Sequence, residues 1–246
     1  MRRSSAFVRL VLLLAVPVVC PARAADSVMQ AAEVPAARHF LAAHAVDAAR
    51  ILPPPPVPGS LAALADLETV LHVQDARTPE QVAWAKNVEH DDVFKNDRVL
   101  GDWFAAANLP FTAEFFQEVN ADGEAVSHDA KDLYPRQRPP FTDSRVHPCV
   151  ELKKTGSYPS GHSSAAWMWA RLLAEIFPEK RAELFDRARA VAWGRVIGGV
   201  HFPTDTIGGR LLGDAIATEL LRKPAVQAAI RKCRAEAEPF LRKKAA

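Results

Sequence analysis

Three short stretches of this 246-residue chain hold residue types whose spacing suits one kind of chemistry. Lys131, Arg136 and Arg138 lie in K-D-L-Y-P-R-Q-R-P (131–139). Ser160, Gly161 and His162 lie in G-S-Y-P-S-G-H (156–162). Arg195, His201 and Asp205 lie in G-R-V-I-G-G-V-H-F-P-T-D (194–205). Each stretch alone has an ordinary explanation: solvated loop cations, a helix cap, a His–Asp hydrogen bond. Together they supply the parts of phosphoryl transfer: fixed cations, a helix N-terminus of small residues, and two histidines with a carboxylate. A phosphate monoester carries about two negative charges at neutral pH. Arginine meets its oxygens with a planar fork and lysine adds a point charge. At 160–162 the backbone N–H groups at a helix start can meet the remaining oxygens, because glycine keeps no side chain in the way. One histidine can attack phosphorus while the other protonates the leaving oxygen, and an aspartate can set a ring's tautomer.

The elements that must hold these residues are helices. Helical spacing of apolar residues covers 161–177, 179–197, 204–222 and 224–242, the last opening on Pro224. Alanine-rich 25–50 also reads as helix. L-P-P-P-P-V-P-G-S (52–60) cannot be helix and reads as an extended surface segment, or a rigid linker, before a helix capped by Ser60. Thr78-Pro79-Glu80 marks another helix start. Residues 91–130 read as shorter helices broken by Asn and Gly, and the proline-punctuated 132–159 as mostly loop. Alternating β-branched runs are almost absent. The expected fold is all-α: a single-domain helical bundle with a long polar loop between its middle helices. Trp167 and Trp169 are assigned to the core, and Gly208, Gly209 and Gly213 to close helix packing.

Residues 1–24 have the form of a cleaved signal peptide. Arg2, Arg3 and Arg9 precede an apolar run at 10–20, and Ala22-Arg23-Ala24 gives an A-x-A site. The domain is then 25–246, in the periplasm or outside the cell. The formal net charge of +2 becomes −2 once the leader's four arginines are removed. That balance argues against nucleic acid as a partner. No later run is long and apolar enough for a transmembrane segment. Cys149 and Cys233 remain as an even pair in an oxidising compartment, so a disulfide and two separate thiols are both open. The other histidines show no metal-ligand spacing.

K-x6-R-P, P-S-G-H and R-x5-H-x3-D, in that order, resemble the three-part signature of the type 2 phosphatidic acid phosphatase (PAP2) superfamily, which includes vanadium haloperoxidases. With L-P-P-P-P-V-P-G-S and G-S-Y-P-S-G-H, the chain looks most like the bacterial class A non-specific acid phosphatases over roughly residues 50–240. The resemblance implies the helical fold of that superfamily and a metal-independent acid phosphatase acting on small phosphomonoesters. It implies His201 as the nucleophile that becomes phosphohistidine, Asp205 as its orienting carboxylate, and His162 as general acid and then base. Lys131, Arg138, Arg195, Ser160 and Gly161 would hold the phosphate. No cofactor is implied; vanadate or phosphate would bind as a ligand or inhibitor, and an oligomer is open.

The chain departs from the family pattern in three places. Gly194 stands where the family usually has Ser, removing a hydroxyl that could reach a phosphate oxygen. Val200 and Phe202 flank His201 where aromatics are common, which implies a less polar pocket rim. Arg136 matches no motif position; it reads as an exposed charge in preference to one lying behind the site. Alternative readings are a vanadium-dependent haloperoxidase, a lipid phosphatase of the membrane type, and a degraded enzyme that only binds phosphate.

Overall fold

Helix starts in this protein are set by side chains that satisfy free backbone N–H groups. Ser60 accepts from Ala63 N–H and Ser160 from Ser163 N–H. Thr78 and Gln81 form a reciprocal capping box. The structure, a computed structural model, describes residues 38–245. Its helices are α1 (Ala48–Ile51), α2 (Leu61–Ala76), α3 (Pro79–Asn87), α4 (Asp97–Leu100), α5 (Pro110–Leu133), α6 (Pro139–Thr142), α7 (Gly161–Ile176), α8 (Arg181–Ile197), α9 (Pro203–Leu221) and α10 (Pro224–Ala245), with short 3₁₀ turns between some of them. Among the described residues there is no strand, so the fold is all-α as expected. No helix among them is long and apolar enough to cross a membrane. The leader, its cleavage site and the start of the Ala-rich stretch lie outside the described residues.

The four helices expected after residue 160 are present, with ends within a few residues of their expected positions. Helix α7 is the hub and packs on α5, α8, α9 and α10. Its Trp167, Met168, Trp169, Leu172, Leu173 and Ile176 are all buried, which confirms the two tryptophans as core. Helix α9 reaches the backbone of α7 at two glycines. A Cβ on Gly209 would sit 2.5 Å from the Ser160 carbonyl oxygen, and one on Gly213 would strike that of Ser164. The glycine cost in helix propensity, about 1 kcal/mol each, is thus tied to a direct need for space.

Two segment expectations are overturned. Residues 91–130 do not hold only short broken helices, because α5 runs for 24 residues through Asn120 and Gly123. Packing outweighs propensity there: Trp169 Nε1 donates to Asn120 Oδ1 at 2.6 Å, and Gly123 makes room for Met168. In the described part of 25–50, residues 38–47 are not helical and α1 begins at Ala48. The N–H groups of His39, Phe40 and Leu41 donate instead to the Asp122 carboxylate, at 2.8–3.2 Å. Residues 52–60 are extended, but not as a free linker. Tyr134 and Tyr158 donate their hydroxyls to the Leu52 and Pro53 carbonyls at 3.2 and 2.7 Å, bracing the segment against the motif loop.

The disulfide alternative is also corrected: Cys149 and Cys233 are both free thiols. Cys149 lies in the loop beside the C-terminus of α8, its Sγ 3.8 Å from the Ile197 carbonyl. Cys233 is buried in α10 beside Thr112 of α5, where burial pushes its pKa up to about 11.

Candidate active site

His201 and Asp205 straddle the start of α9, where Pro203 occupies the first helical position. The ring of His201 is 2 % exposed and the Asp205 carboxylate is fully buried. His201 Nδ1 lies 3.3 Å from Asp205 Oδ2, and Arg138 Nη1 lies 3.0 Å from His201 Nε2. A guanidinium only donates and a carboxylate only accepts, so the proton belongs on Nδ1 and the lone pair on Nε2. Asp205 Oδ2 also accepts from Phe202 N–H at 2.8 Å and Ser157 Oγ at 2.5 Å. Burial lowers the His201 pKa to about 3, against the opposing pull of Asp205, so the ring is neutral at any ordinary pH. Burial would raise Asp205, but the His201 hydrogen bond, the Arg136 charge and Ser157 outweigh it and hold the carboxyl below its usual range.

Three cations from separate elements gather here: Lys131 and Arg138 act on His201, and Arg195 acts on Arg138 and His162. Lys131, in the last turn of α5, donates to the Gly156 and Pro159 carbonyls at 2.8 and 2.7 Å. Burial and the nearby Arg138 charge lower its pKa to about 7. Arg138 donates to the Thr155 and Val200 carbonyls, both at 2.9 Å, and its other donors meet His201 Nε2, Thr155 Oγ1 and the Gly156 carbonyl. Arg195, near the C-terminus of α8, is 2 % exposed, and its Nε and Nη1 are buried with no hydrogen-bond partner among the described residues. Burial lowers its pKa to about 10, and the Arg138 charge adds to this while Glu89 opposes it. Gathering like charges in a buried place is unfavourable until an anion joins them.

The N-terminus of α7 completes the group. Ser160 is fully buried, and a Cβ on Gly161 would point into open space. His162 Nε2 lies 2.9 Å from the Glu89 carbonyl, so Nε2–H donates there and Nδ1 carries the lone pair. Burial, then the Arg195 charge, lowers the His162 pKa to about 3. A cavity of about 300 Å³ borders Gly161 and His162.

The residues singled out from the sequence thus fall at the end of α5, the loop before α6, the start of α7, the end of α8 and the start of α9; Arg138 and Asp205 bond His201, and the Ser160 N–H donates to the Asp205 carbonyl. Cys149 and Cys233 take no part. Arg136 was read wrongly as exposed. It lies largely buried behind Asp205, with Nη1 donating to Asp205 Oδ1 at 2.6 Å and Nη2 to Asp66 Oδ2 at 2.7 Å. Its guanidinium sits 4.1 Å from the centre of the Phe202 ring. Asp66, buried in α2, also accepts from Thr204 N–H at 3.2 Å. The only sequence signal for this arrangement was the R-Q-R spacing, which gave no partner. Val200 and Phe202 are buried as well, and Phe202 lines a separate cavity with Arg136 and the proline-rich segment 55–59. Gly194 faces away from the cations: a Cβ there would lie 2.8 Å from Val88 Cγ2 and 3.2 Å from Trp84 Nε1. The missing hydroxyl marks close packing of α8 on α3.

With this geometry in view, comparison with known proteins is informative. Residues 118–227 match the PAP2 superfamily. A non-specific acid phosphatase of Providencia stuartii is 28 % identical over 78 % of this chain and 81 % of its own length. One from Salmonella typhimurium is 37 % identical over 46 % of this chain and 47 % of its own. An acid phosphatase of Zymomonas mobilis is 29 % identical over 65 % of this chain and 64 % of its own. Among solved structures, a transmembrane PAP2-type phosphatidylglycerolphosphate phosphatase from Bacillus subtilis covers 75 % of this chain and 90 % of its own, at 21 % identity and a TM-score of 0.51. A bacterial vanadium-dependent iodoperoxidase covers 72 % of this chain and 53 % of its own, at 19 % identity and a TM-score of 0.57. These two establish the shared fold. The three-part signature, the fold and the sequence match agree: residues 118–227 carry a PAP2 superfamily domain.

Proposed function

We propose that the protein is an acid phosphatase, as its curated relatives' names suggest, and that it hydrolyses small phosphate monoesters without a metal and through a phosphohistidine. The observation that supports this most is Arg195, a buried guanidinium with two unused donors beside two further cations. A phosphate dianion matches those donors and offsets the gathered charge. Lys131, Arg138 and Arg195 hold its oxygens, with Ser160 and the α7 N-terminus.

The bound phosphate takes over the Arg138 donor and frees the Nε2 lone pair of His201. That lone pair attacks phosphorus, and the bond from phosphorus to the ester oxygen breaks. Asp205 stabilises the positive ring that forms. His162 Nδ1–H gives its proton to the departing oxygen, since Nε2 is held by the Glu89 carbonyl. The substrate's two negative charges offset those of Arg195, Lys153 and Arg138, and so raise His162 from its depressed value enough to carry that proton. Water then attacks the phosphohistidine and gives its proton to His162. The P–N bond breaks and returns its electron pair to Nε2. On this reading residues 1–24 are a removed signal peptide and the enzyme works in the periplasm or outside the cell.

The test is release of p-nitrophenol from p-nitrophenyl phosphate between pH 4 and 9, with and without EDTA, by wild type and His201→Ala. The expected result is activity that persists in EDTA, is inhibited by vanadate and is lost in the variant. No hydrolysis by wild type at any pH, or full activity in His201→Ala, refutes the proposal.

A further inference from the structure

The cavity beside His162 is acidic, although the substrate's phosphate is an anion. Four carboxylates line it: Glu89, Asp91, Asp92 and Glu124. Asp91 is matched by Arg187 at 2.6 Å. The others form no salt bridge among the described residues. Glu89 accepts from the Glu151 N–H and Asp92 from the Phe94 N–H, neither of which carries a formal charge, and Glu124 is exposed on α5. Against these three stand Lys153, which also lines the cavity, and Arg195, whose charge acts on Glu89. The cations that would hold phosphate are not in this wall. Only Gly161 and His162 are shared, so the cavity lies beside the proton donor and is not lined by Lys131, Arg138 or Arg195. Its volume is at the small end of ligand pockets, roughly 300–1,000 Å³. Ser164, one turn into α7, lines the cavity while 2 % exposed, and its Oγ has no hydrogen-bond partner among the described residues. Trp169 and Met168 supply apolar wall.

We propose that this cavity is the leaving-group subsite and that it selects short alcohols carrying an ammonium group. The proposal rests on the phosphatase reading, because a leaving group must depart toward His162. An anionic alcohol would meet three carboxylates here. A neutral polyol would use Ser164 but leave the charges unmatched. An alkylammonium uses both the charges and the apolar wall.

The test compares kcat/KM for phosphocholine, glycerol 2-phosphate and 3-phosphoglycerate in wild type, Glu124→Gln, Glu124→Lys and Ser164→Ala. p-Nitrophenyl phosphate reports whether the chemistry works at all. Glu124 is exposed, so its variants should fold, and taking ratios between variants cancels the substrates' intrinsic reactivities. Wild type is expected to favour phosphocholine over 3-phosphoglycerate by about tenfold or more, as charge complementarity across a partly solvated site allows. Glu124→Gln should cut that ratio roughly threefold and Glu124→Lys roughly tenfold. Ser164→Ala should lower kcat/KM for glycerol 2-phosphate more than for phosphocholine. A wild-type ratio of one or less, or a ratio unmoved by both Glu124 variants, overturns the subsite while hydrolysis of p-nitrophenyl phosphate leaves the phosphatase reading standing. No hydrolysis of any ester removes both.

Discussion

Replacing Arg136 by Met tests whether a charge behind the site holds the His–Asp pair in place. Arg136 bridges two buried carboxylates, Asp205 at 2.6 Å and Asp66 at 2.7 Å. Removing one partner of a buried ion pair costs about 3–5 kcal/mol, because the other charge is left unmatched. Asp205 keeps the Phe202 N–H and Ser157, and Asp66 keeps the Thr204 N–H, so the loss should fall near the lower figure. For a domain of this size about 3 kcal/mol lowers Tm by roughly 6–12 °C. The pH dependence gives an independent check. Asp205 is held below its ordinary value, so its contribution is present above about pH 4 and is lost as pH falls through the folded pKa. The deficit of Arg136→Met should therefore be full at pH 7 and shrink toward pH 3. Urea denaturation of both proteins at a series of pH values measures it. Arg136→Lys, which keeps the charge but not the two-armed reach, should fall between them. Loss of kcat with KM nearly unchanged should accompany Arg136→Met, since the residue orients Asp205 and touches no substrate atom. A loss under about 1 kcal/mol that does not vary with pH would refute the role of counter-ion.

Three further outcomes are expected. Gly194→Ser restores the family's usual residue but overpacks α8 against Val88 and Trp84; it should cost about 1–3 kcal/mol and bring no gain in kcat/KM for p-nitrophenyl phosphate. Lys131, with its pKa lowered to about 7, is charged below that pH and loses its charge above it, so inhibition by sulfate, a dianion throughout, should weaken as pH rises from 6 to 8. Calorimetry in buffers of different ionisation enthalpy should show proton uptake on sulfate binding over that range, and none if Lys131 is remote from the anion. Dithiothreitol should leave Tm unchanged, because Cys149 and Cys233 are free; a fall of several degrees would reveal a disulfide.

The chain's local chemistry determined much by itself. Ser60, Thr78 and Ser160 are caps whose meaning lies within four residues, so the starts of α2, α3 and α7 were legible. The cluster at 131–138, 160–162 and 195–205 was legible because phosphate chemistry needs those residue types together. Only the tertiary structure decided what stands behind them. Arg136 and Asp66 are 70 positions apart, and nothing local in either sequence window says they meet. Residues 38–47 have helical composition, yet the N–H groups of His39, Phe40 and Leu41 go to Asp122, more than 80 residues on. Helix α5 survives Asn120 and Gly123 because Trp169 and Met168 of α7 fill the places those residues leave. Gly194 read as a lost donor, whereas the fold makes it a contact with α3. A cap, a period and a motif depend on neighbours along the chain. A buried charge or a helix-to-helix contact depends on partners that folding alone brings near, and those partners set both the energy and the electrostatics of the site.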